Sequence, residues 1–213
     1  AVHYRGERNA AEETLGLLKG NGHCAVQADL RDAEACQRLV TETVRTLGAI
    51  NILVNNAGVF DSHPIRSLTY EQWQEAWNTT IGTNLFGAAH VSFCAVQHML
   101  RSGGGRIVNV SSRGAFRGEP DAPAYGASKA GMAKALAPER IYVFTVAPGF
   151  VETERVLAKL TPAMEAEIRS QSPFGRMATP DDVARTVLYL ASEAPEFLTG
   201  CIVDINGASY LRT

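Results

Sequence analysis

The sequence predicts an α/β fold in which a doubly wound parallel sheet carries helices on both faces. Short apolar runs alternate along the chain with segments of helix-forming composition. Such alternation requires a parallel sheet that helices cover on both sides. A chain of 213 residues suits one domain. Since no internal repeat, low-complexity tract or linker divides it, we assign residues 1–213 to a single domain.

Local signals set the predicted elements. Asp32 caps one helix, Thr69 and Gln72 form a capping box for another, and Thr179-Pro180 starts a third. Residues 2–4 are interpreted as the end of a strand whose beginning precedes Ala1. The further predicted strands are 24–28, 50–54, 106–111, 141–147 and 201–205. The predicted helices are 8–18, 32–47, 69–101 with a kink near Gly82, 123–137 and one that begins at 179.

Composition excludes several classes of partner. Twenty basic and 22 acidic residues give a net charge of −2, which offers no electrostatic footprint for nucleic acid or an anionic membrane. The His residues show no metal-ligand clustering except His90 and His98, which we interpret as structural, so no metal site is predicted. No apolar stretch has the length of a membrane span, and no signal-peptide pattern is present. Four scattered cysteines, without a C-x-x-C pair, indicate free thiols in a reducing, cytoplasmic setting: Cys24, Cys36, Cys94 and Cys201.

The stretch from Ser112 to Lys129 holds the candidate chemistry. Tyr125 and Lys129 are four residues apart, which places both side chains on one face of a helix. An ammonium group beside a phenol favours the phenolate and lowers its pKa, so the tyrosine can exchange a proton near neutral pH. Ser112 follows an apolar strand and can donate a hydrogen bond to the same substrate oxygen. An amphipathic surface pair is the alternative for Tyr125 and Lys129.

Further motifs accompany that stretch. Asn55-Asn56-Ala57-Gly58 follows a strand, Asn84 lies in a helical stretch, and Pro148-Gly149 follows another strand with Thr153 close behind. In this order the motifs resemble the short-chain dehydrogenase/reductase family, and within it the 3-oxoacyl-acyl-carrier-protein reductases. The resemblance spans residues 2–208. It implies a Rossmann-type dinucleotide-binding and catalytic domain. Residues 150–173 mix polar and apolar positions with weak periodicity, and we interpret them as a mobile substrate lid.

The resemblance also implies roles for single residues. Tyr125 would be the proton donor in reduction, Lys129 would lower its pKa and bind the nicotinamide ribose, and Ser112 would polarise the carbonyl. Ser111 competes with Ser112, but family members place the serine thirteen residues before the tyrosine. Asn84 would hold a water in a proton relay with Lys129, or would only mark a local kink near Gly82.

Residues along the carboxyl ends of the strands are expected to contact the cofactor. Asp29 and Leu30 would flank the adenine. Asn56, Ala57 and Gly58 would let the backbone approach the adenosine half, unless they form only a tight turn. The nicotinamide side would be lined by Pro148, Gly149, Val151 and Thr153, besides Tyr125 and Lys129.

Cofactor choice is predicted at the end of the first strand. An acid at this point binds the ribose 2′-hydroxyl and repels a 2′-phosphate. Arg5 stands there instead, with Arg8 close behind, and a guanidinium suits a phosphate. The sequence therefore favours NADP(H) over NAD(H), although Arg5 on a solvated loop is the alternative.

The sequence lacks two segments that members of the family have. The family's first strand and its T-G-x-x-x-G-x-G turn, which holds the pyrophosphate, would precede the strand that residues 2–4 end, and neither is found in the sequence. The helix after Lys129 is about two turns shorter than in relatives, with a possible junction at residues 132–135. We expect both to reflect omitted residues of a longer protein rather than true deletions.

The predicted function is NADPH-dependent reduction of a carbonyl by a homotetramer, with a 3-oxoacyl thioester of fatty acid biosynthesis as the expected substrate. Arg113 and Arg117 would meet an acidic carrier protein or a phosphopantetheine phosphate, or would be ordinary surface charges. One alternative is a dehydrogenase of sugars, steroids or small alcohols. A different class of alternative is a dinucleotide-binding protein without catalysis.

Overall fold

A computed structural model describes residues 1–117, 119, 121–130 and 139–211. The strands are β1 (Val2–Tyr4), β2 (Ala25–Gln27), β3 (Ile52–Asn55), β4 (Gly105–Val110), β5 (Ile141–Pro148) and β6 (Ile202–Ile205). The α-helices are α1 (Arg8–Leu17), α2 (Ala33–Leu47), α3 (Tyr70–Ile81), α4 (Ala88–Arg101), α5 (Gly114–Arg117), α6 (Pro123–Ala130), α7 (Glu154–Leu157), α8 (Pro162–Ser170) and α9 (Pro180–Ser192). A short 3₁₀ helix covers Glu196–Leu198.

The predicted helix starts are confirmed. Asp32 accepts a hydrogen bond from the Glu34 N–H at 2.9 Å and so caps α2. Thr69 and Gln72 form the capping box of α3, and Thr179 and Asp182 form that of α9. These motifs depend only on residues a few positions apart, and the sequence shows them directly.

Two apolar clusters lie on opposite faces of the sheet. One contains Ile107 and Ile141 and is covered by α2 and α4. The other contains Val108 and Phe144 and is covered by α9. Because successive residues of a strand point to opposite faces, this division shows helices packed on both sides, and the predicted α/β class is confirmed.

All strand pairs in the described residues are parallel, but they form two sheets instead of one. β3, β4, β5 and β6 are neighbours in that order, whereas β1 pairs only with β2. The Val2 N–H and the Tyr4 C=O are hydrogen-bonded towards β2, so the peptide groups of His3 face away from it. A cavity of about 530 Å³ separates β1 from β3.

The edges of both sheets line this cavity. Val2 and His3 contribute from β1, and Ile52 and Val54 from β3, with Leu39 and Val91 from the helices. Ile52 is 49% exposed and Val54 is 40% exposed, which is unusual for apolar residues of a strand inside an α/β fold. The sequence did not predict this separation, because strand pairing depends on residues far apart in the chain.

The long helix predicted from Thr69 to Arg101 is interrupted where the kink was expected. Residues Gly82–Gly87 form a π-helical segment between α3 and α4. A side chain at Gly87 would bring a Cβ to within 2.6 Å of the Leu30 Cβ, so only glycine allows this approach to the end of β2. The segment turns Asn84 towards the candidate site, and π-helical turns are frequent at functional sites.

The remaining predictions concern the catalytic helix and the lid. Helix 123–137 is confirmed as far as Ala130, while its remainder and the possible junction at 132–135 lie outside the described residues. Residues 150–173 contain α7 and α8. Among the described residues, none of the helices combines the length and the apolar character needed to span a membrane.

Candidate active site

The carboxyl ends of three strands meet α6 or the loop that leads from β4 towards it. Lys129 of α6 donates from Nζ to the Val110 C=O at the end of β4, at 2.8 Å. The loop after β3 reaches the same nitrogen, since a Cβ on Gly58 would lie 3.4 Å from Lys129 Nζ. The Arg113 N–H donates to the Pro148 C=O at the end of β5 at 2.9 Å. Because ligands bind beyond the carboxyl ends of parallel strands, this edge is the candidate active site.

Lys129 is a buried cation. Only 6% of the residue is exposed, and burial lowers the pKa of its ammonium group to about 8. Its Nζ lies 5.9 Å from the ring centre of Tyr125, so the two residues share a helix face as the spacing predicts. An ammonium held in this way at a low-dielectric position interacts more strongly with a nearby phenolate than it would in water.

The two candidate serines have different surroundings. Ser111 is buried, and its hydroxyl donates to the Lys129 C=O at 2.6 Å. Ser112 is partly exposed, and its Oγ accepts a hydrogen bond from the Gly114 N–H at 3.1 Å. The hydroxyl hydrogen of Ser112 is thus available to a substrate oxygen, whereas that of Ser111 is committed to the backbone of α6.

Asn84 links the loop after β3 to α6. Its Oδ1 accepts from the Val59 N–H at 2.8 Å, and its Nδ2 donates to the Val59 C=O at 3.0 Å. Nδ2 also donates to the Ser128 Oγ at 3.1 Å. Asn84 is 1% exposed, and these bonds satisfy most of its amide. The π-helical segment therefore places Asn84 beside the residue that precedes Lys129.

Tyr125 is partly buried and contacts an aromatic ring from the same loop. The ring of Phe60 meets it edge to face, with centroids 4.9 Å apart. Such a pair is worth roughly 0.5–1.5 kcal/mol beyond its buried area, and it restricts where the tyrosine ring can lie. Phe60 and Ser128 are site residues that sequence reasoning missed, because neither belongs to a recognisable motif.

Arg113 and Arg117 differ in exposure. Arg113 is 7% exposed and lies 4.2 Å above the Phe150 ring, with its guanidinium donating to Gln171 at 3.1 Å. Desolvation lowers the pKa of Arg113. Arg113 is therefore not the surface charge considered from the sequence. It is a buried residue that connects the loop after β4 to Phe150 and Gln171, near the two ends of the predicted lid. Arg117 is exposed and is accessible to a partner.

The predicted adenosine contacts lie at the ends of β1 and β2. Arg5 is exposed and follows β1 directly. Asp29 is paired with Arg31 at 2.6 Å, and this hydrogen-bonded contact, with a smaller contribution from Arg5, lowers the pKa of Asp29 to about 2. Leu30 is buried beneath Gly87. Arg8 is bound to Glu12 at 2.7 Å, so its guanidinium is already engaged.

The loops after β3 and β5 hold the other predicted cofactor residues. Asn56, Ala57 and Gly58 are exposed. Pro148 is buried, and a Cβ on Gly149 would lie 3.0 Å from the Asn206 Cβ. Val151 forms a parallel bridge with Ala178, and Thr153 caps α7 by accepting the Val156 N–H at 3.3 Å.

Comparison with known proteins shows the family of the chain. The model of a protein family described as enoyl-(acyl carrier protein) reductase, a short-chain dehydrogenase/reductase group, matches residues 1–208. A 3-oxoacyl-[acyl-carrier-protein] reductase of Staphylococcus aureus is 32% identical over 220 residues, covering 99% of this chain and 87% of the relative. The chain belongs to the short-chain dehydrogenase/reductase family.

Two further relatives are similar to this short-chain dehydrogenase/reductase over the same span. An acetoacetyl-CoA reductase of Rhizobium meliloti is 37% identical, covering 99% of this chain and 87% of the relative. An uncharacterised short-chain dehydrogenase/reductase of Sinorhizobium fredii is 33% identical, covering 97% and 83%. As a member of the family, the protein is an NAD(P)-dependent oxidoreductase acting on carbonyl and alcohol groups.

The described residues fit the nicotinamide half of such a cofactor. At Gly58 a Cβ would contact both Asn84 Oδ1 at 3.3 Å and Lys129 Nζ, so glycine keeps the backbone open beside the cation. The ammonium of Lys129 supplies N–H donors suited to ribose hydroxyls. The family's T-G-x-x-x-G-x-G turn does not occur in the sequence, and the G-x-x-x-G-x-G spacing of Gly16, Gly20 and Gly22 lies at the end of α1 instead of between a strand and a helix. We therefore assign the pyrophosphate contacts to no residue.

The buried ammonium predicts a specific dependence of stability on pH. A lysine with a folded pKa near 8 releases its proton there, whereas the unfolded chain keeps it until about pH 10.4. The unfolded state thus binds more protons within this window, and the free energy of unfolding contributed by Lys129 rises with pH through it. Below pH 8 the free energy of unfolding is thus about 3 kcal/mol lower than it would be with Lys129 in its neutral form.

We therefore expect the Lys129→Met substitution to raise the free energy of unfolding most below pH 8. The difference from the wild type should shrink towards pH 10. Urea unfolding of both proteins at a series of pH values measures it. Lys19→Met, at an exposed position, is the matched control and should show no such trend. A wild-type-to-Met difference independent of pH would contradict the burial of a charged Lys129.

Proposed function

We propose that the protein reduces a 3-oxoacyl thioester to the 3-hydroxyacyl thioester with NADPH, and catalyses the reverse oxidation when conditions favour it. The observation that carries the proposal is the position of the Lys129 ammonium, buried between the ends of β3 and β4 and 5.9 Å from the Tyr125 ring. A phenol in this setting is suited to exchange a proton with a carbonyl or alcohol oxygen.

Each side chain of the proposed catalytic set has a separate role. Tyr125 donates its proton to the carbonyl oxygen during reduction. Ser112 donates a hydrogen bond to the same oxygen and stabilises the negative charge that develops there. Lys129 favours the phenolate left on Tyr125 and binds the nicotinamide ribose. Asn84 holds a water that connects Lys129 to solvent. Bound NADPH supplies the hydride that the carbonyl carbon accepts.

The preference for NADPH rests on the charge at the end of β1. Arg5 is exposed at the position where an acid would select NADH, and its guanidinium can form two parallel hydrogen bonds with a 2′-phosphate. The Asp29 carboxylate forms an ion pair with Arg31. The positive charge of Arg31 offsets it, so Asp29 repels a phosphate less than an isolated carboxylate would. The remaining proposed cofactor contacts are Leu30, Asn56, Ala57, Gly58, Pro148, Gly149, Val151 and Thr153.

The substrate class comes from the relatives. Two of them are named for 3-oxoacyl or acetoacetyl thioesters. Exposed Arg117, near the catalytic serine in sequence, offers a charge to an acidic carrier protein or to a phosphopantetheine phosphate. Residues 150–173 form the proposed substrate lid, with Arg113 joining Phe150 and Gln171 beneath it. The four cysteines are free thiols, which agrees with a role in cytoplasmic fatty acid biosynthesis.

A homotetramer is proposed from exposed apolar side chains. Phe86, Phe93 and Leu100 recur every seven residues along the π-helical segment and α4, and are 57%, 67% and 40% exposed. Side chains with this spacing share one helix face. An exposed apolar stripe of this kind is a typical helix-pairing surface.

The catalytic roles predict a sharp contrast between neighbouring residues. Tyr125→Phe removes the proton donor and should lower kcat by roughly 100-fold or more. Ser112→Ala should lower kcat by roughly 100-fold, because a donor to the developing oxyanion is lost. Ser111→Ala is the matched control. It should lose about 1 kcal/mol of stability and little turnover.

Reduction of acetoacetyl thioesters, followed by NADPH absorbance, measures these effects. A panel of ketones, sugars and steroids run in parallel tests the substrate class. Unchanged turnover in Tyr125→Phe would contradict the catalytic role of Tyr125 and favour the alternative of a dinucleotide-binding protein without catalysis.

Cofactor choice should change at Arg5. In Arg5→Asp the new carboxylate repels the 2′-phosphate, so the ratio of kcat/KM for NADPH to that for NADH should fall by roughly tenfold to 100-fold. Arg8→Asp makes the same charge change three residues away, at a guanidinium already bound to Glu12, and should alter the ratio much less. An unchanged ratio in Arg5→Asp would remove the basis for NADPH preference.

Assembly should depend on the apolar stripe. Light scattering of the wild type should give the mass of a tetramer, and Phe93→Glu should reduce it, because burying a charge at a helix-pairing face is costly. Phe197→Glu, at a fully exposed position on the 3₁₀ helix, is the control. A monomeric wild type would refute the tetramer.

A further inference from the structure

His63 is a buried histidine in the loop between β3 and α3, outside every motif of the active site. It is 1% exposed, which makes it one of the largest fully buried side chains. Its main-chain N–H donates to the Asp121 C=O at 2.7 Å. The residue thus joins the loop after β3 to the segment that leads into α6.

Two contacts determine which nitrogen of the ring carries hydrogen. The Ala124 N–H, 3.2 Å away, can only donate, so Nε2 must be unprotonated to accept it. The Asp61 C=O, 2.8 Å from Nδ1, can only accept, so Nδ1 must carry the hydrogen. The structure therefore requires the neutral Nδ1–H tautomer, and both ring nitrogens are satisfied within the protein.

The amino terminus of α6 cannot cap itself. Ala122 precedes the first helical residue and has no side-chain acceptor, and Pro123 has no N–H. The N–H groups of Tyr125 and Gly126 both reach the Ala122 C=O. The Ala124 N–H has no acceptor within the first turn of α6. It donates a hydrogen bond to Nε2 of His63, which lies in a loop distant in sequence. Since Ala124 is 0% exposed, water does not replace this acceptor.

We propose that His63 is a positioning residue for Tyr125: it caps α6 from outside and so fixes the turn of helix from which the phenol projects. The inference rests on the proposed role of Tyr125 as proton donor. Tyr125 follows Ala124 directly, so a shift of the capped N–H moves the tyrosine with it. A displacement of about 1 Å at a reacting group can cost roughly 100-fold in rate.

The loop that carries His63 holds Tyr125 from a second direction. Phe60, three residues earlier, packs edge to face on the Tyr125 ring, and Val59 is bound at both its N–H and its C=O by Asn84. Residues 59–63 therefore connect the π-helical segment, the tyrosine ring and the start of α6. His63 is the member of this loop that acts on the helix backbone.

Two substitutions separate the cap from the rest of the side chain. In His63→Asn the side-chain amide can still donate to the Asp61 C=O, but it is too short to accept from the Ala124 N–H. In His63→Gln the longer side chain places an oxygen near the position of Nε2 and keeps the cap. We expect kcat for the thioester to fall roughly tenfold to 100-fold in His63→Asn and to stay within a few-fold of wild type in His63→Gln, with KM for NADPH unchanged in both.

A second-site variant and a backbone measurement complete the test. Ala122→Ser supplies a local cap to the Ala124 N–H, so adding it to His63→Asn should restore kcat, whereas a residue that only fills space would not be rescued. Hydrogen exchange at the Ala124 amide should be about tenfold faster in His63→Asn and return in the double variant.

Each outcome bears on one proposal alone. Equal loss of kcat in the Asn and Gln variants, or faster Ala124 exchange with wild-type kcat, would overturn the positioning role. A wild type that reduces no carbonyl substrate would instead overturn the proposed function, while exchange at Ala124 would still test the cap.

Discussion

The burial of the Lys129 ammonium is the constraint on which the rest of the active site depends. A charge removed from water must be satisfied by nearby groups. The Val110 C=O provides one acceptor, and this fixes α6 against the end of β4. Ser111 adds a bond to the Lys129 C=O, so the same turn of helix is held through its backbone as well. The loop after β3 lies close to the nitrogen at Gly58, where a Cβ would be 3.4 Å from Nζ and 3.3 Å from Asn84 Oδ1.

Much of the fold could be predicted because its signals are local. The capping residues at Asp32, Thr69 and Thr179 mark helix starts through contacts within one turn, and the structure places them there. The division into two sheets could not be predicted in this way. It depends on which strands are neighbours in space, and the apolar character of Ile52 and Val54 is the same whether a strand edge is paired or faces a cavity.

The same limit applies to the active site, where contacts within one helical turn could be predicted and contacts between distant residues could not. The spacing of Tyr125 and Lys129 predicts a shared helix face, and the structure brings Asn84, Ser112 and both of them to one edge of the sheet. The family spacing favours Ser112 over Ser111, and the hydrogen bonds give a physical reason for this preference. Phe60 and His63 were not found, and Arg113 was considered only as a partner contact or a surface charge, because their importance comes from partners 37 to 65 positions away in the chain.

The π-helical turn at Gly82–Gly87 also sets the phase between α3 and α4. One residue of an α-helix corresponds to a rotation of about 100°, and the wider π-helical turn accommodates about one extra residue, so a regular α-helix of the same length would turn all of α4 by about that angle relative to α3. Val91, Ala95 and Met99, which now pack against the sheet, would then point elsewhere. The irregular turn therefore allows one continuous helix to present Asn84 to the active site from its middle and a buried apolar face along α4. A regular helix of the same length would satisfy its own hydrogen bonds but could not keep both Asn84 and the apolar face of α4 in their present directions.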